Sequence, residues 1–146
     1  MRQILVLAAT VAFAAALVAP AAADRVYHTE HLELSGVGGA TGGGAVVNIH
    51  PNGPNVYAHE IYTLRDAVPG TYQVSLMVFT TSLSCTGSST AIPTATITTN
   101  ASGNGRAEVT FTPADVGALR GMTFSISWTV TGPATYTTAC TVVTLD

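Results

Sequence analysis

The clearest periodicity lies in residues 122–130, where Met122, Phe124, Ile126, Trp128 and Val130 alternate with Thr123, Ser125, Ser127 and Thr129. Strict period two predicts a strand with one apolar face and one hydroxyl face. A second alternation sets Tyr72, Val74, Leu76 and Val78 against Gln73, Ser75 and Met77, while Tyr136, Cys140 and Val142 share one parity in the last stretch. Further strands are expected near residues 26–34, 45–49 and 56–64. Sheets with one wet face are normally antiparallel. About seven or eight short strands without a long helical pattern predict an all-β chain, folded as an antiparallel two-sheet sandwich.

The punctuation agrees. Residues 94–99 and 106–112 flank Asn100-Ala101-Ser102-Gly103-Asn104-Gly105, whose residue types tolerate positive φ, so a β-hairpin is expected there. Val68-Pro69-Gly70-Thr71 fits a type II turn. Thr112-Pro113-Ala114-Asp115 puts a capping hydroxyl before a first-turn proline and an acid, predicting one short helical turn over residues 113–119 that crosses between sheets. The glycine run from Gly36 to Gly44 marks a loop or a glycine-interrupted edge strand. It lacks the Lys-Ser/Thr of a phosphate loop and precedes no helical pattern.

One feature resists a simple core. His28 and Glu30 share the parity of Leu32 and Leu34, and Glu60 shares that of Tyr62 and Leu64. Carboxylates therefore fall on faces where apolar side chains would be drawn, and each requires a partner, a bulge or a metal.

Residues 1–23 form a different segment. Met1-Arg2-Gln3 is a short positive start, residues 4–18 are apolar apart from Thr10, and Ala21-Ala22-Ala23 supplies small residues before Asp24. This is the pattern of a cleaved signal peptide, and a run of about 15 apolar residues is too short to span a bilayer. The expected mature chain, residues 24–146, is one secreted, extracellular domain: removing 23 of 146 residues leaves 123. Its four arginines face eight acids, a net charge of −4, and the chain has no lysine. That balance excludes partners that demand a basic patch, nucleic acid and anionic membrane surfaces among them. The remaining partners are an extracellular protein, a glycan or a small molecule. Two cysteines in an exported chain, Cys85 and Cys140, predict one intramolecular disulfide.

Two stretches carry a family resemblance. Leu64-Arg65-Asp66-Ala67-Val68-Pro69-Gly70-Thr71-Tyr72-Gln73-Val74 resembles the PGTYxV turn and strand of bacterial prealbumin-like and Ig-like surface domains. Thr98-Thr99-Asn100-Ala101-Ser102-Gly103-Asn104-Gly105-Arg106-Ala107 is similar to a hairpin of many secreted bacterial sandwiches. The order of GTxY strand, cysteine and hairpin also resembles the neocarzinostatin-like apoproteins, which carry small chromophores. That resemblance implies a fold class and no functional residues. Those apoproteins have two disulfides where this chain can form one, and its N-terminal half has no counterpart in them.

Four histidines lie between positions 28 and 59, beside Glu30, Glu33 and Glu60. Imidazole and carboxylate together suit zinc or copper, and His28, His50 and His59 are the candidate ligands, although no tight signature such as H-E-x-x-H occurs. Tyr57 and Tyr136 are the candidate exposed aromatics for a ligand surface, and Trp128 is expected as a core anchor near the disulfide. No nucleophile elbow or complete catalytic motif occurs, so an enzyme is not expected and no cofactor is required. Three readings follow. The chain is an extracellular binding or structural module, a small zinc or copper protein whose histidines converge on one ion, or a carrier of a small apolar ligand. A carrier requires an apolar cleft of at least about 300 Å³ lined by aromatics.

Overall fold

The computed structural model describes residues 27–51 and 58–145; the expected signal peptide and Tyr57 lie outside the described residues. The described residues form nine strands: β1 Tyr27–Gly36, β2 Gly43–Pro51, β3 Ala58–Arg65, β4 Thr71–Phe79, β5 Thr90–Thr98, β6 Gly105–Phe111, β7 Thr123–Thr131, β8 Thr135–Thr137 and β9 Thr141–Thr144. All strand pairs are antiparallel, in the order β5-β4-β7-β8-β1-β2-β3-β6 with β9 also on β7. The all-β, antiparallel expectation is met. The strands form one nearly barrel-shaped sheet, because β8 pairs with β7 on one edge and with Ser35 and Gly36 of β1 on the other. A four-stranded half, β1-β2-β3-β6, is thereby hinged at one corner to the half that holds β4, β5, β7 and β9.

At the opposite margin, the stretch read as a hairpin is a corner. β5 pairs with β4 and β6 with β3, so the chain crosses from one half to the other through residues 99–104. Asn100 Oδ1 accepts from the amides of Ser102 and Asn104 at 2.9 and 3.0 Å. The corner is fastened to the turn before β4, where Thr99 N donates to Gly70 O at 2.9 Å and Ala67 N to Gly103 O at 3.2 Å. Gly70 has φ 155°, not the value near +80° of a type II turn, and a Cβ there would lie 2.5 Å from Pro133. Both this φ, which L side chains rarely adopt, and the close packing on Pro133 set the glycine.

The C-terminal stretch departs from its predicted parity for a definite reason. Partners along β7 run Thr129↔Thr137 and Val130↔Tyr136, then Ile126↔Thr141 and Phe124↔Val143, a one-residue slip between β8 and β9. Thr138 fills the gap, its Oγ1 accepting from Trp128 N at 3.0 Å and its own amide donating to Trp128 O at 3.1 Å. The slip turns Val143 inward and leaves Val142 exposed. Tyr136, expected at the surface, is fully buried. Its hydroxyl donates to Thr41 O at 2.7 Å and its ring tilts against Tyr72.

Leu34, Val46, Leu64, Tyr72, Val130 and Tyr136 pack tightly at this hinged end. The crossing between β6 and β7 is the predicted helical turn, α1 Pro113–Val116 followed by a 3₁₀ turn, Gly117–Leu119. Asp115 Oδ2 accepts from Thr112 N at 2.8 Å and from Thr112 Oγ1 at 2.7 Å, bonds that hold the Asp115 carboxyl below its ordinary range.

Cys85 and Cys140 form the predicted disulfide, tying the β4–β5 loop to the start of β9. Buried Ser125 holds the same loop, accepting from Cys85 N at 3.1 Å and donating to Ser82 O at 2.7 Å. A loop of 55 residues closed by a bridge loses denatured-state entropy worth about 4 kcal/mol. Replacing both cysteines by alanine is therefore expected to lower the unfolding free energy in urea by about 4 kcal/mol. A loss near zero would mean that Ser125 alone anchors the loop.

Candidate functional site

Moving from the hinged end along β2, β3 and β7, the inward positions become Asn48, Glu60 and Trp128. The register makes Glu30 the direct neighbour of Asn48, and Asn48 that of Glu60. Three polar side chains thus run side by side across β1, β2 and β3 on the inner face. Asn48 Nδ2 donates to Glu30 Oε2 at 2.9 Å, and His50 Nε2 to Glu30 Oε1 at 3.0 Å. His28 stacks on His50 with centroids 5.3 Å apart.

Glu60 is the deepest of these charges, 1% exposed. Tyr62 Oη and Trp128 Nε1 both donate to its Oε2, the latter at 2.8 Å. Thr94 Oγ1 lies 2.8 Å from Tyr62 Oη, whose single proton is committed to Glu60, so the threonine hydroxyl is the donor in that pair. Thr94 reaches that position through a bulge, since Val74 pairs with Ala95 and Ser75 with Pro93. Burial pushes the Glu60 carboxyl up to about 7, even though the bonds from Tyr62 and Trp128 favour its ionised form. Burial and the adjacent Glu60 likewise push the Tyr62 hydroxyl up.

Beyond this polar row the two halves splay apart and leave a cleft of about 310 Å³. Leu76, Val78, Phe111, Phe124, Ile126 and Val143 supply its apolar walls, and Val116 and Leu119 of the helical crossing close one side. Ile92, 37% exposed, stands at the rim on β5. Asn48 and Glu60 are the polar groups of the interior wall, and Asp115 is exposed at the margin. Asn48 Oδ1 is buried and has no hydrogen-bond partner among the described residues.

The predicted residues are only partly brought together. His28 and His50 meet on the inner face, but alternation along β3 turns His59 outward, where its Nδ1 lies 2.8 Å from Thr110 Oγ1. The three do not converge, and among the described residues no group of three His, Cys, Asp or Glu side chains is placed to hold a metal ion. Tyr136 belongs to the packed end. Trp128 is a core anchor as expected, with the added task of donating to Glu60. Sequence reasoning singled out Glu30 and Glu60 by parity but passed over Asn48, whose parity with Val46 carries the same signal. Comparison of the chain with family models, with curated proteins and with solved structures finds no match.

Glu60 should leave a signature in stability. Its folded carboxyl titrates at about 7 and the unfolded one at 4.5. The native state therefore holds a proton that the unfolded chain has lost in between, and stability falls as pH rises through this window. The difference is worth about 3 kcal/mol. Glu60→Gln keeps an oxygen for Tyr62 and Trp128 but cannot ionise. Urea unfolding at pH 4.5 and at pH 8 is expected to show the variant gaining about 3 kcal/mol on the wild type across that interval; parallel profiles would mean that Glu60 ionises in the fold as freely as in the unfolded chain.

Proposed function

We propose that this protein is an exported binding module that holds one small, largely apolar molecule in the cleft between the halves of its sheet. The cleft is the observation that carries this reading. Its volume falls at the lower end of the range of small-molecule sites, and its walls combine aliphatic side chains with two phenylalanines and a few convergent polar groups. A packed sandwich of this size has no need for such an opening, whereas a carrier does. The resemblance to secreted bacterial sandwich domains, and to the chromophore-carrying neocarzinostatin-like apoproteins, points the same way.

Export is supported by the leader pattern of residues 1–23 and by a disulfide suited to an oxidising compartment. No described helix is long and apolar enough to cross a membrane. The metal-binding reading loses support with His59 on the outer face. The module's mechanism is passive. The paired strands and the helical crossing keep apolar walls apart so that a ligand, and not a collapse of the walls, removes them from water.

The test uses N-phenyl-1-naphthylamine, an apolar dye that brightens on leaving water and whose aryl-conjugated nitrogen is not protonated near neutral pH. Saturable one-to-one binding at micromolar concentration is expected. Ile92→Trp, which narrows the mouth from a half-exposed position, should weaken it by at least about tenfold, a loss of roughly 1.4 kcal/mol. Absence of saturable binding, or equal binding by the variant, would overturn the carrier reading of this cleft.

A further inference from the structure

The polar groups of the cleft are one-sided. Glu60 Oε2 is occupied by Tyr62 and Trp128, while among the described residues its other oxygen has no hydrogen-bond partner. Asn48 commits its Nδ2 to Glu30 on one side, which leaves its Oδ1 free, and its cross-strand neighbour on the other side is Glu60. That oxygen is buried and unpartnered, on a side chain only 4% exposed. Two hydrogen-bond acceptors thus sit on directly opposed residues of adjacent strands, about 5 Å apart at Cβ. The nearby donors are already committed, Tyr62 and Trp128 to Glu60, and Asn48 Nδ2 to Glu30. The chain contains no lysine, and no arginine lines the cleft among the described residues.

Adjacent acceptors without a donor between them repel, and the buried Asn48 Oδ1 carries a desolvation cost until a donor arrives. One group with several N–H bonds satisfies both. We propose that the cleft is a receptor for a lipophilic amine, whose ammonium group docks between Glu60 and Asn48 Oδ1 while its apolar body lies among Leu76, Phe111 and Phe124. This rests on the carrier reading above and narrows it to one ligand chemistry. Carboxylic acids are disfavoured above pH 7, where an ionised Glu60 inside joins Asp115 at the margin in repelling an anion. Neutral hydrocarbons fill the volume but bring no donor to either acceptor.

The proton balance follows. In the empty cleft Glu60 is protonated up to about pH 7, and its proton satisfies the repulsion by serving as the missing donor. When an ammonium ion enters, Glu60 becomes a carboxylate and its proton leaves to solvent, with no covalent bond made or broken. Binding therefore strengthens as pH rises toward 7 and levels off above it. The other titratable groups around Glu60 are Tyr62 on the same strand, Glu30 and His50 behind Asn48, and Asp115 from α1. Tyr62 stays protonated and Asp115 stays ionised over this range; Glu30 and His50 are separated from Glu60 by the Asn48 amide.

Octylamine, octanol and octanoate, matched in chain length, distinguish the possibilities when titrated against the fluorescence of Trp128, the chain's single tryptophan, and against bound N-phenyl-1-naphthylamine. At pH 8 octylamine is expected to bind at least about tenfold more tightly than octanol, with octanoate weakest; below pH 7 its affinity should fall by up to about tenfold per unit while that of octanol stays level. Calorimetry at pH 5.5 in buffers of different ionisation enthalpy should read about one proton released per octylamine bound. Glu60→Gln should bring octylamine to within about twofold of octanol, and the wild-type comparison stands on its own if that variant does not fold. Equal binding of amine and alcohol, or preference for octanoate, would overturn the amine proposal and leave an apolar carrier. Binding of none of the three, and of no dye, would overturn the carrier reading itself.

Discussion

A carboxylate on the inner face of a β-strand, away from bulk water, must either find donors or give up its charge. At Glu60 the fold does some of both, and much of the architecture around the cleft follows. Tyr62 and Trp128 come from opposite halves of the sheet, so their bonds to one oxygen act as a strut between β3 and β7. Trp128 is held by the Thr138 bridge, which coincides with the slip between β8 and β9. Tyr62 is held by Thr94, placed there by the bulge on β5. Two irregularities in otherwise regular ladders thus serve the residues that attend one buried acid.

The same strut divides the interior. On one side, tyrosines and branched aliphatic side chains close the hinged corner, where β8 bridges β7 and β1. On the other, no polar strut and no bridging strand among the described residues draws the halves together. There the helical crossing between β6 and β7 spans from one half to the other and lines the cleft with Val116 and Leu119. Apolar walls held apart in this way keep a hydrophobic driving force in reserve for a ligand. The stability of the empty protein is lower by whatever their collapse would have returned.

Much of this was legible in period-two alternation, because alternation reports which side of a sheet each residue faces. It placed β4 and β7 within a residue, located the helical crossing from Thr112-Pro113-Ala114-Asp115, and marked Glu30 and Glu60 as acids on core faces. It failed where a single residue shifts phase. The slip at Thr138 reversed the expected orientation of Val142 and Val143, and with Tyr136 buried the presumed binding aromatic became part of the packed end. The corner at residues 99–104 looks like a hairpin because the same turn residues serve both. Which strands it joins depends on pairing far along the chain. The row Glu30–Asn48–Glu60 is likewise a product of register between three strands. Periodicity along each strand identifies inward positions but not which of them stand side by side.

Register is also what separates the two site chemistries considered for the acids and histidines. A metal ion requires several lone pairs aimed at one point, and the pairing of β1 with β2 brings only His28, Glu30 and His50 near one another, with Glu30 already bonded to both Asn48 and His50. His59 faces outward and leaves no further imidazole to complete a set. The Asn48 and Glu60 acceptors differ in kind: they are adjacent, short of donors, and beside apolar volume. A leucine at position 60 would remove the cost of burying an acid, but it would leave the buried Tyr62 hydroxyl and Trp128 indole N–H without the acceptor they share. An acid kept at about 3 kcal/mol against stability at neutral pH is the kind of local exception that marks a functional group. Its protonated state when empty and its charged state beside a cation are the two arrangements in which the inner face of β3 has no unmet electrostatic demand.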